Sequence, residues 1–384
     1  MWRSVASNGL SFLLVALFLL GALVLWGRNE YTTTGPLEQA ICLRVEKGSD
    51  MKRVSRDLLS VSAIGNDTIF RLGAEYTGKS GKLKAGSFLI PATASMEAIS
   101  ELITRSGAST CGTEIVYRIG VTRTSVQVRE LDPKTNRFDK KAEFNPEEET
   151  APEIFERAKT LNDTRFRVLM AEGVTSWQVR QVLMAIDQLT GNIAAVPDEG
   201  TLAPDSYEIR LGETRQAVIE RMQAAQDMIL ETAWKNRVEG LPLKSLQEAL
   251  ILASIVEKET GVPTERRQVA SVFINRLNRS IRLQTDPTVI YGITKGEKTL
   301  GRGLRRSELD RKTPWNTYRI DGLPPTPIAN PGRASIEAVL NPEDTNFLFF
   351  VANGTGGHIF AETLNQHNAN VKKWRAIEAG KAKK

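Results

Sequence analysis

The apolar residues of this chain change period as the chain proceeds, and each change marks an element. From Gly9 to Gly27 the sequence GLSFLLVALFLLGALVLWG carries no charge. A run of that length can cross a hydrocarbon core as a helix. Arg3 precedes it, Arg28 follows it, and Trp26 suits the membrane–water interface. Leu25, Trp26 and Arg28 stand where a cleaved signal peptide would carry small residues. The pattern predicts a short stub and uncleaved anchor over 1–28, then a polar linker over 29–40; which side the stub faces, the cytoplasmic one included, is left to other evidence. One arginine on each side gives the span little orientation.

Alternation takes over next. ICLRVEKG places Ile41, Leu43 and Val45 on one side and reads as a strand ended by Gly48. SDMKRVSRDLLSVSAI reads as a helix capped by Ser49 or Asp50, with Val54, Leu58 and Leu59 along one face. KLKAGSFLIP reads as a turn and strand, and SMEAISELI as a second helix. These elements make a module over 41–111. Strand, helix and strand of these lengths, with KGS near the start and LKAGSFLI near the end, resemble a LysM-like fold. That resemblance implies glycan binding; a packing module without a ligand has the same pattern.

Over 112–165, TEIVYRIG and SVQVREL alternate as strands, and DPKTNRFDKKAEFNPEEETAPE is a charged hairpin, loop or linker. A central αβ segment over 166–245 holds the strand FRVLMAEG, the helix TSWQVRQVLMAI and the turn-rich DEGTLAPDSYEIRLGE. A long helix from Thr214 to Val238 follows, with Val218, Met222, Met228 and Ile229 as core candidates. The remainder, 246–375, mixes helices with a strand FLFFVAN, and 376–384 is a tail. The expected class is therefore α+β, with an N-terminal transmembrane helix and a separate C-terminal domain.

The helix SLQEALILASIVEKET, Ser245 to Thr260, organises that last domain. Ser245 is an N-cap, Glu248 falls where a capping box needs it, and Gly261 and Pro263 stop the helix. Leu246, Ala249, Leu250, Ile251, Leu252, Ala253, Ile255 and Val256 are apolar all round, so it belongs in a core. Glu257 and Glu259 sit in its last turn. A helix C-terminus and apolar surroundings both disfavour a carboxylate, which raises its pKa. A carboxylic acid still protonated near neutral pH is what glycosidic cleavage needs. Acids at helix ends are also commonly solvated, and Lys258 suits an exposed turn. Both glutamates have apolar neighbours, so periodicity does not choose between them.

Composition narrows the class further. The chain has 384 residues, 41% hydrophobic and 25% charged, with net charge +6. No basic run is interleaved with aromatics, so nucleic acid is not an expected partner. Two cysteines, Cys42 and Cys111, can pair in an oxidising compartment or remain buried thiols. They and two histidines, His358 and His367, lack metal-ligand spacing, so neither metal nor cofactor is expected.

The segments ASIVEKET, VASVFINRL, LQTDPTVIYG, NTYRIDGLPPTPIANPG and LFFVANGTGGHIFAETLNQHN together resemble the YceG-like family, the endolytic murein transglycosylases of the bacterial envelope. DEGTLAPDSYEI looks like a degraded form of the family's PEG-x-L-x-PDTY element. Several long motifs in order make the match specific outside about 112–165. The resemblance implies a single-pass inner-membrane enzyme with its bulk in the periplasm, acting on peptidoglycan glycan strands beside peptidoglycan synthases. It implies Glu257 as catalytic acid. The bond would be the β-1,4 link between N-acetylmuramic acid and N-acetylglucosamine, the product a 1,6-anhydro end. Accessory candidates are Glu259, Gln284, Thr285, Asp286, Tyr291, Asn316, Tyr318 and His358. Gln284, Thr285 and Asp286 fit substrate binding or turn capping, Tyr291 a sugar face or the core, Asn316 and Tyr318 a groove, and His358 a groove edge or a structural bond. The competing reading from a different class is a non-enzymatic, anchored peptidoglycan-binding scaffold.

Overall fold

Helix α1, Trp2–Thr32, carries the apolar run, and its Phe12–Thr32 stretch is long and apolar enough to cross a membrane. The side chains from Phe12 to Trp26 are exposed. This is a computed structural model that describes residues 2–105, 109–161 and 163–381. The chain divides into two compact units, one of Met1–Val116, Gln127–Phe144 and Glu149–Phe166, the other of Tyr117–Val126, Asn145–Glu148 and Arg167–Lys384.

In the first unit, α1 continues past the apolar run, and residues 29–40 pack instead of hanging as a linker. Tyr31 is buried, its hydroxyl lies 2.7 Å from Ser100 Oγ, and Leu37 is buried as well. The Tyr31 ring lies where a side chain at Gly73 would sit, 2.3 Å from the Cβ position, so glycine is required there. Then come β1 (Ile41–Val45), α2 (Met51–Ser60), α3 (Asp67–Tyr76), β2 (Gly86–Ile90) and α4 (Met96–Thr104). Strands β1 and β2 pair antiparallel, Ile41 against Ile90 and Val45 against Gly86. Leu43, Val45, Val54, Leu58, Phe70, Phe88, Ile90, Ile99 and Ile103 make the core. Asp50 is the cap of α2. The buried stripe of α2 is Met51, Val54, Ser55 and Leu58; this helical spacing leaves Leu59, expected on that face, 41% exposed.

The sequence pattern does not predict helix α3. Asn66 Oδ1 accepts from the Thr68 and Ile69 amides to start it, and only Phe70 and Ala74 of its residues are buried, too few for a legible period. A disulfide joins Cys42 to Cys111 across 69 positions, with Cα atoms 5.7 Å apart.

Strands β3 (Thr113–Ile119), β4 (Thr124–Asp132) and β5 (Arg137–Phe144), helix α5 (Glu153–Thr160), β6 (Arg165–Met170), α6 (Ser176–Ala185) and β7 (Ser206–Ile209) come next in the chain. The five strands form one sheet in the order β5-β4-β3-β6-β7. The charged stretch after Asp132 is thus the edge arm of a hairpin, and α5, unexpected, succeeds it.

The second unit continues with α7 (Arg215–Lys235), α8 (Leu246–Glu259), α9 (Arg266–Asn278), α10 (Asp286–Thr294), α11 (Arg306–Asp310), α12 (Arg333–Leu340), β8 (Phe349–Ala352), β9 (His358–Ala361) and α13 (Leu364–Lys381). Helix α13 runs through much of the expected tail. Helices α8, α9 and α12 share one core with part of α7. Met228, expected in that core, is 69% exposed. The buried stripe of α7 passes through Gln226 instead, whose Nε2 donates to the carbonyls of Gly200 at 3.0 Å and Pro331 at 3.1 Å. A polar residue on the inner face hid the true period.

Candidate active site

Ser245 starts α8 by accepting from the Glu248 amide at 3.2 Å. Glu248 does not close the expected reciprocal box; its Oε2 reaches one residue further back, to the Lys244 amide, at 2.6 Å. Ala249 to Val256 are buried without a break. Ser254 Oγ accepts from the Ile328 amide at 3.0 Å, which fastens the proline-bearing loop onto the helix. The helix ends at Glu259 because Thr260 turns extended.

Glu257 and Glu259 stand two residues apart, about 200° around the helix, so they enter different surroundings. Glu257 Oε2 accepts from Ser335 Oγ at 2.6 Å and from the Gly332 amide at 3.0 Å. Gly332 is the N-cap of α12, so the carboxyl meets the positive end of that helix as well as the negative end of its own. The sequence shows only the second of these. Among the described residues, no hydrogen bond occupies Oε1. The side chain is partly buried and held at one oxygen, not loose in solvent.

Glu172 and Gly173, at the turn after β6, pack against this last turn of α8. Gly173 has φ of +77°, its amide donates to the Asn330 carbonyl at 2.9 Å, and its carbonyl accepts from Lys258 Nζ at 3.2 Å. Lys258 is therefore drawn inward, and burial lowers its pKa. Glu172 also lies against Gly332: a Cβ there would fall 1.8 Å from Glu172 Oε1. Burial, then the neighbouring Glu257 charge, raises the Glu172 carboxyl, and Arg266, whose Nη2 is 3.8 Å away, opposes this.

Glu259 takes a hydrogen bond from Thr285 Oγ1. It keeps a little solvent contact but is packed deeply enough that burial raises its pKa. Thr285 is buried, and its amide donates to Thr317 Oγ1 at 3.0 Å. Asp286 is exposed and accepts from Tyr318 Oη at 2.8 Å. Gln284 is exposed, at φ of +47°. Asn316 is fully buried; its Nδ2 donates to the carbonyls of Leu309 and Arg311 at 3.0 and 2.6 Å, so it holds a loop instead of lining a groove. His358 also has a structural place: its amide and Nδ1 each lie 2.9 Å from a carboxylate oxygen of Glu265.

Tyr291 faces a third carboxyl, Glu199, which sequence reasoning misses inside DEGTLAPDSYEI. Glu199 Oε1 accepts from the Ser176 amide at 2.9 Å and from Asn330 Nδ2 at 3.3 Å. Burial pushes its pKa up to about 7, against the pull of those donors. Asn330 also ties down Val174 and Leu202, so it joins the Gly173 turn, the Glu199 turn and the proline-bearing loop. Of the accessory candidates, then, the structure gathers Thr285, Asp286 and Tyr318 toward Glu259 and puts Tyr291 with Glu199. Glu257 has its partners elsewhere, in Gly332 and Ser335.

These features define an α+β protein with a carboxyl-bearing helix end clasped by the amino end of a second helix and by a glycine turn. The chain belongs to the YceG-like family, whose profile matches residues 43–373. It is similar to a Bacillus subtilis (strain 168) protein named endolytic murein transglycosylase, 28% identical over 361 residues that cover 93% of this chain and 91% of that one. A Streptococcus pneumoniae serotype 2 (strain D39 / NCTC 7466) protein of the same name is 34% identical over 179 residues, 45% of this chain and 31% of that one. A crystal structure of a putative yceG-like protein from Listeria monocytogenes aligns with 86% of this chain and 98% of its own, at 23% identity and a TM-score of 0.45.

Proposed function

We propose that the chain is a membrane-anchored, endolytic peptidoglycan lytic transglycosylase with Glu257 as its catalytic acid. It cleaves the β-1,4 bond between N-acetylmuramic acid and N-acetylglucosamine in nascent glycan strands and leaves 1,6-anhydro ends, which terminates strand growth. The observation that carries the assignment is the half-used carboxyl of Glu257. Ser335 and Gly332 fix one oxygen and leave the other for substrate. Glu259, the rival, is occupied by Thr285 and packed deeply enough for burial to raise its pKa. The names of the curated relatives support the reaction class.

In this mechanism protonated Glu257 gives its proton to the leaving oxygen as positive charge builds at C1 of the muramoyl ring. The Glu257 carboxylate left behind takes the proton from the ring's own C6 hydroxyl, whose oxygen closes on C1, and no water enters. Helix α1 anchors the chain in the inner membrane, and the Cys42–Cys111 disulfide favours an oxidising, periplasmic side for the residues beyond that helix. The β1-α2-α3-β2 arrangement is the proposed LysM-like module within 41–111, with 166–245 and 246–375 as the central segment and catalytic domain. Anchoring near the membrane suits work beside peptidoglycan synthases.

The test is digestion of purified sacculi by the full-length protein and by Glu257→Gln, with product masses read by mass spectrometry. The expected wild-type products carry ends lighter by one water than hydrolysed ends, and the variant releases none while its unfolding curve is unchanged. Full activity of Glu257→Gln overturns the assignment. Hydrated ends from wild type indicate a muramidase, and no products from either indicate a scaffold.

A further inference from the structure

We infer that a cleft at the amino end of α9 is a binding subsite for a carboxylate on the substrate, with Arg266 as its cation. This rests on the reading of the chain as a peptidoglycan transglycosylase, since the muramoyl residues of that polymer carry peptide side arms that bear carboxylates.

The cleft has a volume of about 560 Å³, and Thr232, Asn236, Arg266, Arg267, Glu337 and Asn341 stand in its wall. Two successive arginines line its α9 side, and they differ in their commitments. Arg267 Nε donates to the Asn341 carbonyl at 2.8 Å, at the carboxyl end of α12. Arg266 is 8% exposed, and its Nε is buried without a hydrogen-bond partner among the described residues. Its ion partner, Glu172, stands 3.8 Å from Nη2, beyond hydrogen-bond reach. A buried donor left unpaired costs free energy. The fold avoids that cost at Arg276, also buried, whose Nε donates to the Leu348 carbonyl at 2.7 Å and whose Nη1 donates to the Leu283 carbonyl. Arg266 is thus a cation held ready for an acceptor.

The rest of the wall decides the sign of the ligand. The amino end of α9 carries partial positive charge. Among the described residues no side chain caps it, because Glu265, at the N-cap position, is turned to His358. The carboxyl ends of α7 and α12 weigh the other way, but the Asn236 amide covers the first and Arg267 the second. Glu337 is exposed and lies 3.9 Å from Arg333. A planar guanidinium grips a carboxylate with two parallel hydrogen bonds, which fixes direction as well as charge. The place suits a side arm of the strand. Helix α12 is 8 residues long, about 12 Å, and its amino end holds Glu257 through Gly332 and Ser335 while its later turns line the cleft. A carboxylate on Arg266 would hold the strand by its peptide while Glu257 acts on the sugar.

The test measures anhydro-product release by the full-length protein from uncrosslinked glycan strands and from the same strands with their carboxyl groups amidated. Wild-type KM should rise roughly 10- to 100-fold on amidated strands with kcat little changed, as for loss of one hydrogen bond to a charged group. Arg266→Gln should show the raised KM on both substrates. Arg266→Lys, which keeps the charge, should recover part of the discrimination, and Glu172→Gln should retain it. Acetate at constant ionic strength should raise the wild-type KM and leave that of Arg266→Gln alone. A wild-type KM indifferent to amidation overturns the inference without recourse to any variant, and if acetate still stabilises the protein the cleft is a site for free anions. An Arg266→Gln that still discriminates overturns it as well. So does a Glu172→Gln that loses discrimination in full, because Arg266 then serves only to hold Glu172. In each of these cases anhydro products from wild type, with none from Glu257→Gln, leave the transglycosylase reading standing. No product from wild type on unmodified strands removes that reading and the subsite with it.

Discussion

Replacing Glu199 with glutamine should make the protein more stable, by an amount that opens above about pH 4.5 and is complete above about pH 7. The Glu199 carboxyl is raised from an ordinary 4.5 to about 7 because burial outweighs its hydrogen bonds from Ser176 and Tyr291. Below about pH 4.5 the group is protonated in both the folded and the unfolded chain, and the full contribution to stability is present. As pH rises, the unfolded chain releases the proton first, so stability falls through this window. It is lost once pH passes about 7, where the folded group ionises too. The gap between the two values corresponds to about 3 kcal/mol, at 1.36 kcal/mol per pH unit. Glutamine has the same shape, still accepts from the Ser176 amide and never ionises. The wild-type and Glu199→Gln stability curves should therefore run together near pH 4.5 and separate by about 3 kcal/mol above pH 8. For a unit of this size that is roughly 6 to 12 °C in melting temperature. Any bond lost to Tyr291 shifts the variant curve by a constant and leaves the divergence intact. Thermal and urea unfolding across pH 4.5–9 measure it. Curves that stay parallel refute the claim that Glu199 is buried at the cost of its charge.

Two contacts give further outcomes. Ser335→Ala removes a 2.6 Å bond to Glu257, and a hydrogen bond to a charged group is worth about 1.5–3 kcal/mol. If Glu257 is the acid, kcat on sacculi should fall roughly 10- to 100-fold by that energy with KM little changed; an unchanged kcat would show that Ser335 does not orient it. Changing both Cys42 and Cys111 to serine opens a loop closed across 69 positions and should cost the first unit about 4 kcal/mol in urea unfolding, whereas dithiothreitol should do the same to wild type and nothing to the variant.

Local chemistry makes α8 and its ends readable: a serine cap, an apolar run and a glycine–proline stop all lie within one stretch. The hairpin arms β3 and β4 are readable for the same reason, since alternation is a nearest-neighbour property. Helix α3 is not, because only Phe70 and Ala74 of it are buried. Met228 is misplaced by its sequence pattern because Gln226 takes a core position that two backbone carbonyls make tolerable. The site fares the same way. Glu257 can be singled out, but its partners lie 75 and 78 positions away in a glycine and a serine that no local pattern marks. Glu172 and Glu199 both precede glycines of positive φ, in AEG and DEG. That repeated acid–glycine turn is the available signal, and along the sequence it looks the same as ordinary turn chemistry.

The two glutamates of α8 illustrate why spacing along a helix can separate roles that composition cannot. An interval of two residues turns the side chains about 200° apart, so neighbours of one are not neighbours of the other. Glu259 is delivered to Thr285, within a shell of buried threonines at 285, 288 and 317. Its carboxyl stabilises the start of α10 and has little left to offer a substrate. Glu257 is delivered to the amino end of α12, where Gly332 and Ser335 hold one oxygen, and toward the turn at Gly173, whose φ of +77° favours glycine. Lys258, between them, is pulled to the Gly173 carbonyl and so braces the same turn that carries Glu172. A shift of one residue in α8 would bring Lys258 to face the α12 end and turn Glu257 about 100° away from it. The stop at Thr260 is thus a determinant of the site as much as of the helix.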